Sequence, residues 1–238
     1  LPDALDSIYD QAGAAVIVVR VAVGATEDET MANIIGGVDA QNGQYQGVKA
    51  MIGAESVVGF APRILLAPGF THQRPNGAAN PVVAELIGIA DRLRAVVIAD
   101  GPNTTDEAAT TYAGDFGSSR VFVCDPWVQK MDAAGAIVSA PASPCVAGLI
   151  AKSDAENGFW WSPSNQAIAG IVGTARPVDF ALGDANARAN MLNELGVATI
   201  IRQDGFRLWG NRTLASDPKW AFLSVRRTAD VINDSLLR

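Results

Sequence analysis

The sequence predicts an α/β fold: a mixed, partly parallel β-sheet flanked by helices, followed by a C-terminal hairpin and a long amphipathic helix. Three observations carry that expectation. Short, nearly continuous apolar runs recur, each closed by turn residues, as in strands buried on both faces. They are residues 63–67 before Pro68-Gly69, 95–99 before Asp100-Gly101-Pro102, and 120–124 before Asp125-Pro126. Helical patterns separate the runs, which calls for crossover connections and parallel pairing. Beyond Gly196 the spacing changes to that of a hairpin and then a helix.

In chain order, an opening helical stretch leads into residues 14–21, AVIVVRV preceded by alanine, a fourth run of the strand type. Residues 36–47 read as a surface loop. Within it, Asp39-Ala40-Gln41-Asn42-Gly43 is a turn, because a calcium loop would need further acidic side chains at alternate positions and a closing Glu. A helical pattern covers residues 48–57, and residues 71–80 form a second loop. The clearest helix spans residues 81–94: Asn80 offers a capping oxygen, Pro81 suits the first turn, and Val83, Leu86, Ala90 and Leu93 share a stripe. Shorter helices are expected over residues 105–112, 142–156 and 185–195, with a loop over 160–166. Residues 197–202 and 206–209 pair across Gln203-Asp204-Gly205, since Asp-Gly accepts the positive φ of tight hairpins. Period-two alternation puts Phe206 and Leu208 on one face and Arg207 and Trp209 on the other, with Trp209 expected to be mostly buried. Ser216 is expected to cap the last helix, along which Phe222, Val225, Ala229, Ile232 and Leu236 form one stripe. With no low-complexity linker, residues 1–238 read as one domain.

Charge and residue content exclude several functions. Eighteen Lys plus Arg against twenty-five Asp plus Glu leave a net charge of −7, which gives no basic field for nucleic acid or an anionic membrane. Cys124 and Cys145 are too few for a disulfide framework and read as small buried hydrophobes. His72 is the one histidine, placed in a turn-rich loop where a solvated side chain is expected, so any catalytic triad or histidine metal site would have to hang on that single residue. Phosphate-loop, dinucleotide-binding and nucleophile-elbow patterns are absent, and no cofactor is implied. The alternative is an enzyme or ligand-binding domain using Asp100 and Asp125, where two strands end at the sheet edge that usually binds ligands. Against it, Asp before Gly or Pro is ordinary turn chemistry. The cluster GFRLWGNRTL, residues 205–214, offers arginine and tryptophan, residue types enriched at protein interfaces and equally suited to a structural joint.

The order of motifs resembles the tail sheath proteins of contractile-tailed bacteriophages, the myovirus and R-type pyocin sheath family. NGQYQGVKAM, PRILLAPG with Pro68 and Gly69, and DPW with Trp127 carry the likeness, then SDAENGFW with Asp154 and Gly158, and SPSN with Pro163 and Asn165. LNELGV, Gly205, Arg207, Trp209, Gly210 and Arg212, and finally Arg226 and Arg227, complete it. The resemblance implies a mechanical and non-catalytic subunit of the virion tail. Its implied partners are other sheath subunits in hexameric rings, the tail tube protein and the baseplate, with assembly in the bacterial host cytoplasm. In this family terminal arms add β-strands to neighbouring subunits. Residues 1–238 are therefore expected to be a sheath core without those arms, monomeric on its own, with the 205–214 cluster as a structural joint.

Overall fold

The computed structural model describes residues 1–237. Its helices are α1 (Pro2–Tyr9), α2 (Glu27–Ile35), α3 (Ala54–Val58), α4 (Pro81–Leu93), α5 (Asp106–Ala113), α6 (Ser143–Asn157), α7 (Arg188–Glu194) and α8 (Leu223–Leu236). Its strands are β1 (Ile64–Leu65), β2 (Val96–Asp100), β3 (Val121–Cys124), β4 (Val128–Met131), β5 (Ile137–Ala140), β6 (Gly173–Thr174), β7 (Val197–Arg202) and β8 (Phe206–Trp209). The main sheet has the order β1-β2-β3-β7-β8. Its first four strands run parallel, and β8 returns antiparallel to β7 through the expected hairpin, with Ile200 opposite Leu208.

The continuous apolar runs have the origin the sequence implies: β2 and β3 are covered on both faces. Val97, Ala99, Val121 and Val123 join one core with Leu86 and Ile89 of α4 and Tyr112 of α5. Their neighbours Val96, Ile98 and Phe122 join the opposite core with Val146, Leu149 and Ile150 of α6. Alternate side chains thus feed alternate layers, so no polar residue can be accommodated along either strand without a partner. The α4 cap is as expected, with Asn80 Oδ1 accepting from the Val82 and Val83 amides at 2.9 and 3.1 Å.

A second, three-stranded sheet in the order β5-β4-β6 is not foreseen from the sequence. Its signal is local: the Asp132 carboxylate accepts the Ala134 and Ala136 amides at 2.9 and 2.8 Å, tightening the turn between β4 and β5. Residues 48–57 begin as a 3-10 helix over Gly47–Gly53 before α3.

Three expectations need correction. Residues 14–21 run without a turn or bend but belong to no strand, because no backbone group pairs with them. Ser216 does not cap the last helix: its hydroxyl donates to the Gly117 carbonyl, while α8 starts at Leu223 without a side-chain cap. The α8 stripe faces outward, with Phe222, Val225, Ile232 and Leu236 all exposed. Leu223 and Asp230 are the buried positions, because α8 docks through ion pairs rather than through its apolar face. Trp209 is mostly covered, as expected, and its neighbour Leu208 is fully enclosed. Among the described residues, no helix is long and apolar enough to cross a membrane.

Candidate functional site

The C-terminal ends of β2 and β3 are the place where an open α/β sheet would bind a ligand. Asp100 ends β2 fully buried. Its carboxylate accepts the Ser143 amide at 2.7 Å and the Ser143 hydroxyl at 2.6 Å, while Thr71 Oγ1 accepts the Asp100 amide at 3.0 Å. Ser143 is the first residue of α6, a helix whose own N-cap, Ala142, has no capping side chain. Asp100 therefore caps α6 from a neighbouring strand, satisfying amides that the helix leaves free and placing negative charge at its positive end.

Asp125 is also fully buried and accepts the Asn103 amide at 2.7 Å. It pairs with Arg176, which also holds Asp106 at 2.6 Å. Burial raises the Asp125 carboxyl, and Arg176 opposes that rise. Trp127 covers the same edge: its amide donates to Asn103 Oδ1 at 3.0 Å and its ring nitrogen to the Gly101 carbonyl at 3.2 Å. A Cβ at Gly101 would stand 2.6 Å from Asp125 Cβ, so glycine is required by this close approach. Both carboxylates are thus engaged in closing the sheet edge, one on a helix start and one on an arginine.

His72 is not solvated as expected. It is half-buried against Trp127, edge to face with centroids 4.9 Å apart, and burial lowers its pKa despite the nearby Glu27. Burial also pushes the Cys124 thiol well above its usual range and Cys145 up to about 11, so neither supplies a thiolate at neutral pH. Among the described residues no group of three or more His, Cys, Asp or Glu is placed to hold a metal.

Asp100 yields a testable pH dependence. Burial drives its pKa up to about 6 against the hydrogen bonds from Ser143. A carboxyl with a higher pKa folded than unfolded holds its proton better in the fold, so ionisation disfavours folding. That destabilising contribution is absent below about pH 4, grows towards about pH 6, and is constant above. Asp100→Asn keeps an acceptor for the Ser143 amide and removes the titration. We expect the variant to gain stability over the wild type by roughly 2–3 kcal/mol as pH rises through that window. A stability difference that stays flat in denaturant titrations from acid to neutral pH would show that Asp100 titrates as an ordinary carboxyl.

The residues of the sheath resemblance do not converge on this edge alone; most brace loops and helices. Pro68 and Gly69 follow β1, with Gly69 at φ 84. Asp154 of α6 forms a two-pronged pair with Arg227 of α8, the Nη1–Oδ1 arm at 2.7 Å. Gly158 lets the Trp160 ring approach to where a Cβ would sit 2.5 Å away. Asn165, at φ 64, follows the Pro163 turn; its amide donates to the Leu208 carbonyl at 2.6 Å, and its own carbonyl accepts from Arg207 at 2.9 Å. Gly205 turns the hairpin at φ 94, and Gly210 passes where a Cβ would lie 2.7 Å from Ala198 Cβ. Trp209 donates to Asn190 Oδ1 at 2.8 Å and packs on Phe180. Arg212 lies over Phe222 and Arg226 over Trp220, at 5.4 and 4.3 Å from the ring centroids. Contacts of the 205–214 cluster thus reach the loop before the hairpin, through Arg207, and Phe222 at the start of the last helix, through Arg212. Sequence reasoning missed Arg176, Arg120 and Asp230, which are joined to partners distant along the chain, Asp106 and Asp125 for Arg176 and Asp230 for Arg120.

The family described as the phage tail sheath protein central domain matches residues 40–214. A Pseudomonas aeruginosa (strain UCBPP-PA14) protein that carries the name of a prophage major tail sheath protein is 48% identical over 98% of this chain and 59% of its own length. The tail sheath protein of Escherichia phage P2 is 37% identical over 99% of this chain and 60% of its own. The chain thus spans about three fifths of the curated relatives it matches. The fold is similar to that of the anti-feeding prophage helical sheath in its contracted state, with a TM-score of 0.62 and 21% identity, covering 98% of this chain and 56% of that one. With this likeness spread over nearly its whole length, the chain belongs to the phage tail sheath protein family.

Proposed function

We propose that this chain is the load-transmitting body of a contractile tail sheath subunit, which stacks with copies of itself around a tail tube and shortens to drive the tube through a host envelope. The observation that carries the reading is the identity with tail sheath proteins along 98–99% of the chain. The interior described above suits such a body. Two cores sandwich one sheet, and the sheet edge that could hold a substrate is tied to α6 and Arg176 instead. A rigid body of this kind moves as a unit while its contacts with neighbours are exchanged. His72, Asp100 and Asp125 have no catalytic part in it.

The partners that follow are other sheath subunits in hexameric rings, the tube and the baseplate, in a virion tail assembled in the host cytoplasm. The surface carries residue types that interfaces favour, including Trp160 and Trp161, both more than half exposed. Work of contraction is stored in a metastable lattice and released without nucleotide hydrolysis. Electron microscopy of the full-length protein expressed alone is expected to show hollow helical tubes, and the 238-residue chain none. Discrete monomers of the full-length protein under all assembly conditions would overturn the sheath reading. Tubes from the 238-residue chain would overturn the need for terminal arms.

A further inference from the structure

Residues 14–21 have the composition of a strand and run without a turn or bend, yet lack what makes a strand stable. Among the described residues, no backbone N–H or C=O from 13 to 23 bonds to another backbone group; the single bond there is Asn33 Nδ2 to the Ala22 carbonyl. Eight consecutive residues, seven of them apolar, are thus held in line with an unmade ladder. Unpaired backbone beside apolar surface is a costly arrangement that folded proteins rarely retain.

The other half of the observation is β1. It pairs with β2 on one side and is the edge of the main sheet on the other. Between that free edge and residues 14–21 lies a cavity of about 530 Å³. Its two side walls are residues 14–19 with Val21, and residues 60–68. Its floor and roof are the two helical layers of the domain: Ile8, Ala147 and Ala151 from α1 and α6 on one side, Ile34, Val48 and Met51 on the other. The cavity thus continues the plane of the sheet between the same layers that cover β2 and β3.

We propose that this slot is the seat of one further β-strand, which pairs with β1 on one edge and with residues 14–21 on the other and extends the sheet to seven strands. A small apolar ligand could fill the volume but would leave both ladders unmade; only a backbone satisfies them. Because helices cover both faces, the incoming segment is a nearly continuous apolar run of about five to eight residues, without charge at its centre. Its source is the parent polypeptide itself. The slot lies within the body of a domain and would be lined like a core, as expected of a permanent element. The curated relatives are matched over only 59% and 60% of their lengths, which leaves ample chain to supply it.

Hydrogen exchange of the amides at residues 15–21 and 66–67 tests this. In dilute 238-residue chain they are expected to exchange like free coil. In the unassembled full-length subunit those facing the slot are expected to slow by at least about 100-fold. Strong protection in the dilute 238-residue chain would mean that the segment already has partners and would overturn the proposal. Rapid exchange in the full-length subunit would do so as well. Protection that appears only on assembly would assign the strand to a neighbouring copy and refute the intramolecular source. Exchange is read on the subunit whether or not tubes form, so failure here is separate from failure of the sheath reading.

Discussion

Asp230→Ala is expected to destabilise the protein by about 3–5 kcal/mol, because it removes the buried carboxylate that Arg120 and Arg226 share at the α8 interface. Asp230 is 4% exposed and Arg120 8%. Arg120 reaches its two oxygens at 2.7 and 3.1 Å, and Arg226 donates to Oδ1 at 2.8 Å. Alanine would leave a buried guanidinium without its main partner, and the desolvation of that charge is what makes the loss large. Asp91 also contacts Arg120, but its side chain is 66% exposed, so it cannot replace the buried carboxylate. Asp91→Ala is therefore the control and should cost less than about 1 kcal/mol. Chemical denaturation of the two variants separates them. A loss at Asp230 no larger than that at Asp91 would mean that α8 is held by something other than this pair.

That interface also marks where the sequence stops being legible. In β2 and β3 local pattern and final environment coincide, since both faces are covered and every residue reports burial. The Asn80 cap and the Asp204-Gly205 turn are similarly self-contained, so they can be read from a few adjacent residues. The α8 face could not be read this way. Its apolar stripe was the stronger periodic signal, but the docked face is set by Asp154, Arg120 and the carbonyl of Ala95, all far away in sequence. The same applies at the sheet edge, where Asp125 is explained by Arg176 and Asp100 by the start of α6. Residues 14–21 show the reverse case. Their composition favours a strand, and a strand still does not form without a partner to complete its ladder.

The hairpin allows the two kinds of reading to be compared in one experiment. Leu208→Ala is expected to cost about 3–4 kcal/mol, within the range for emptying a well-packed leucine site. Leu208 is fully buried in the core that contains Phe122, Ile200 and Leu223, and β8 is fixed there on both sides. One edge pairs with β7 and the other accepts the Asn165 amide through the Leu208 carbonyl, so the backbone cannot collapse into the space left. Trp209→Ala, one residue on, removes a larger side chain from a shallower place. The indole loses its bond to Asn190 and its contact with Phe180 at a centroid distance of 4.5 Å, while water can enter the half-buried site. Its cost should be about 2 kcal/mol, below the range for a core tryptophan. Residue identity alone would rank the tryptophan first; alternation along β8 ranks the leucine first. Unfolding free energies from the two single variants decide between them, and a larger loss at Trp209 would place the centre of the joint on the outer face of the hairpin.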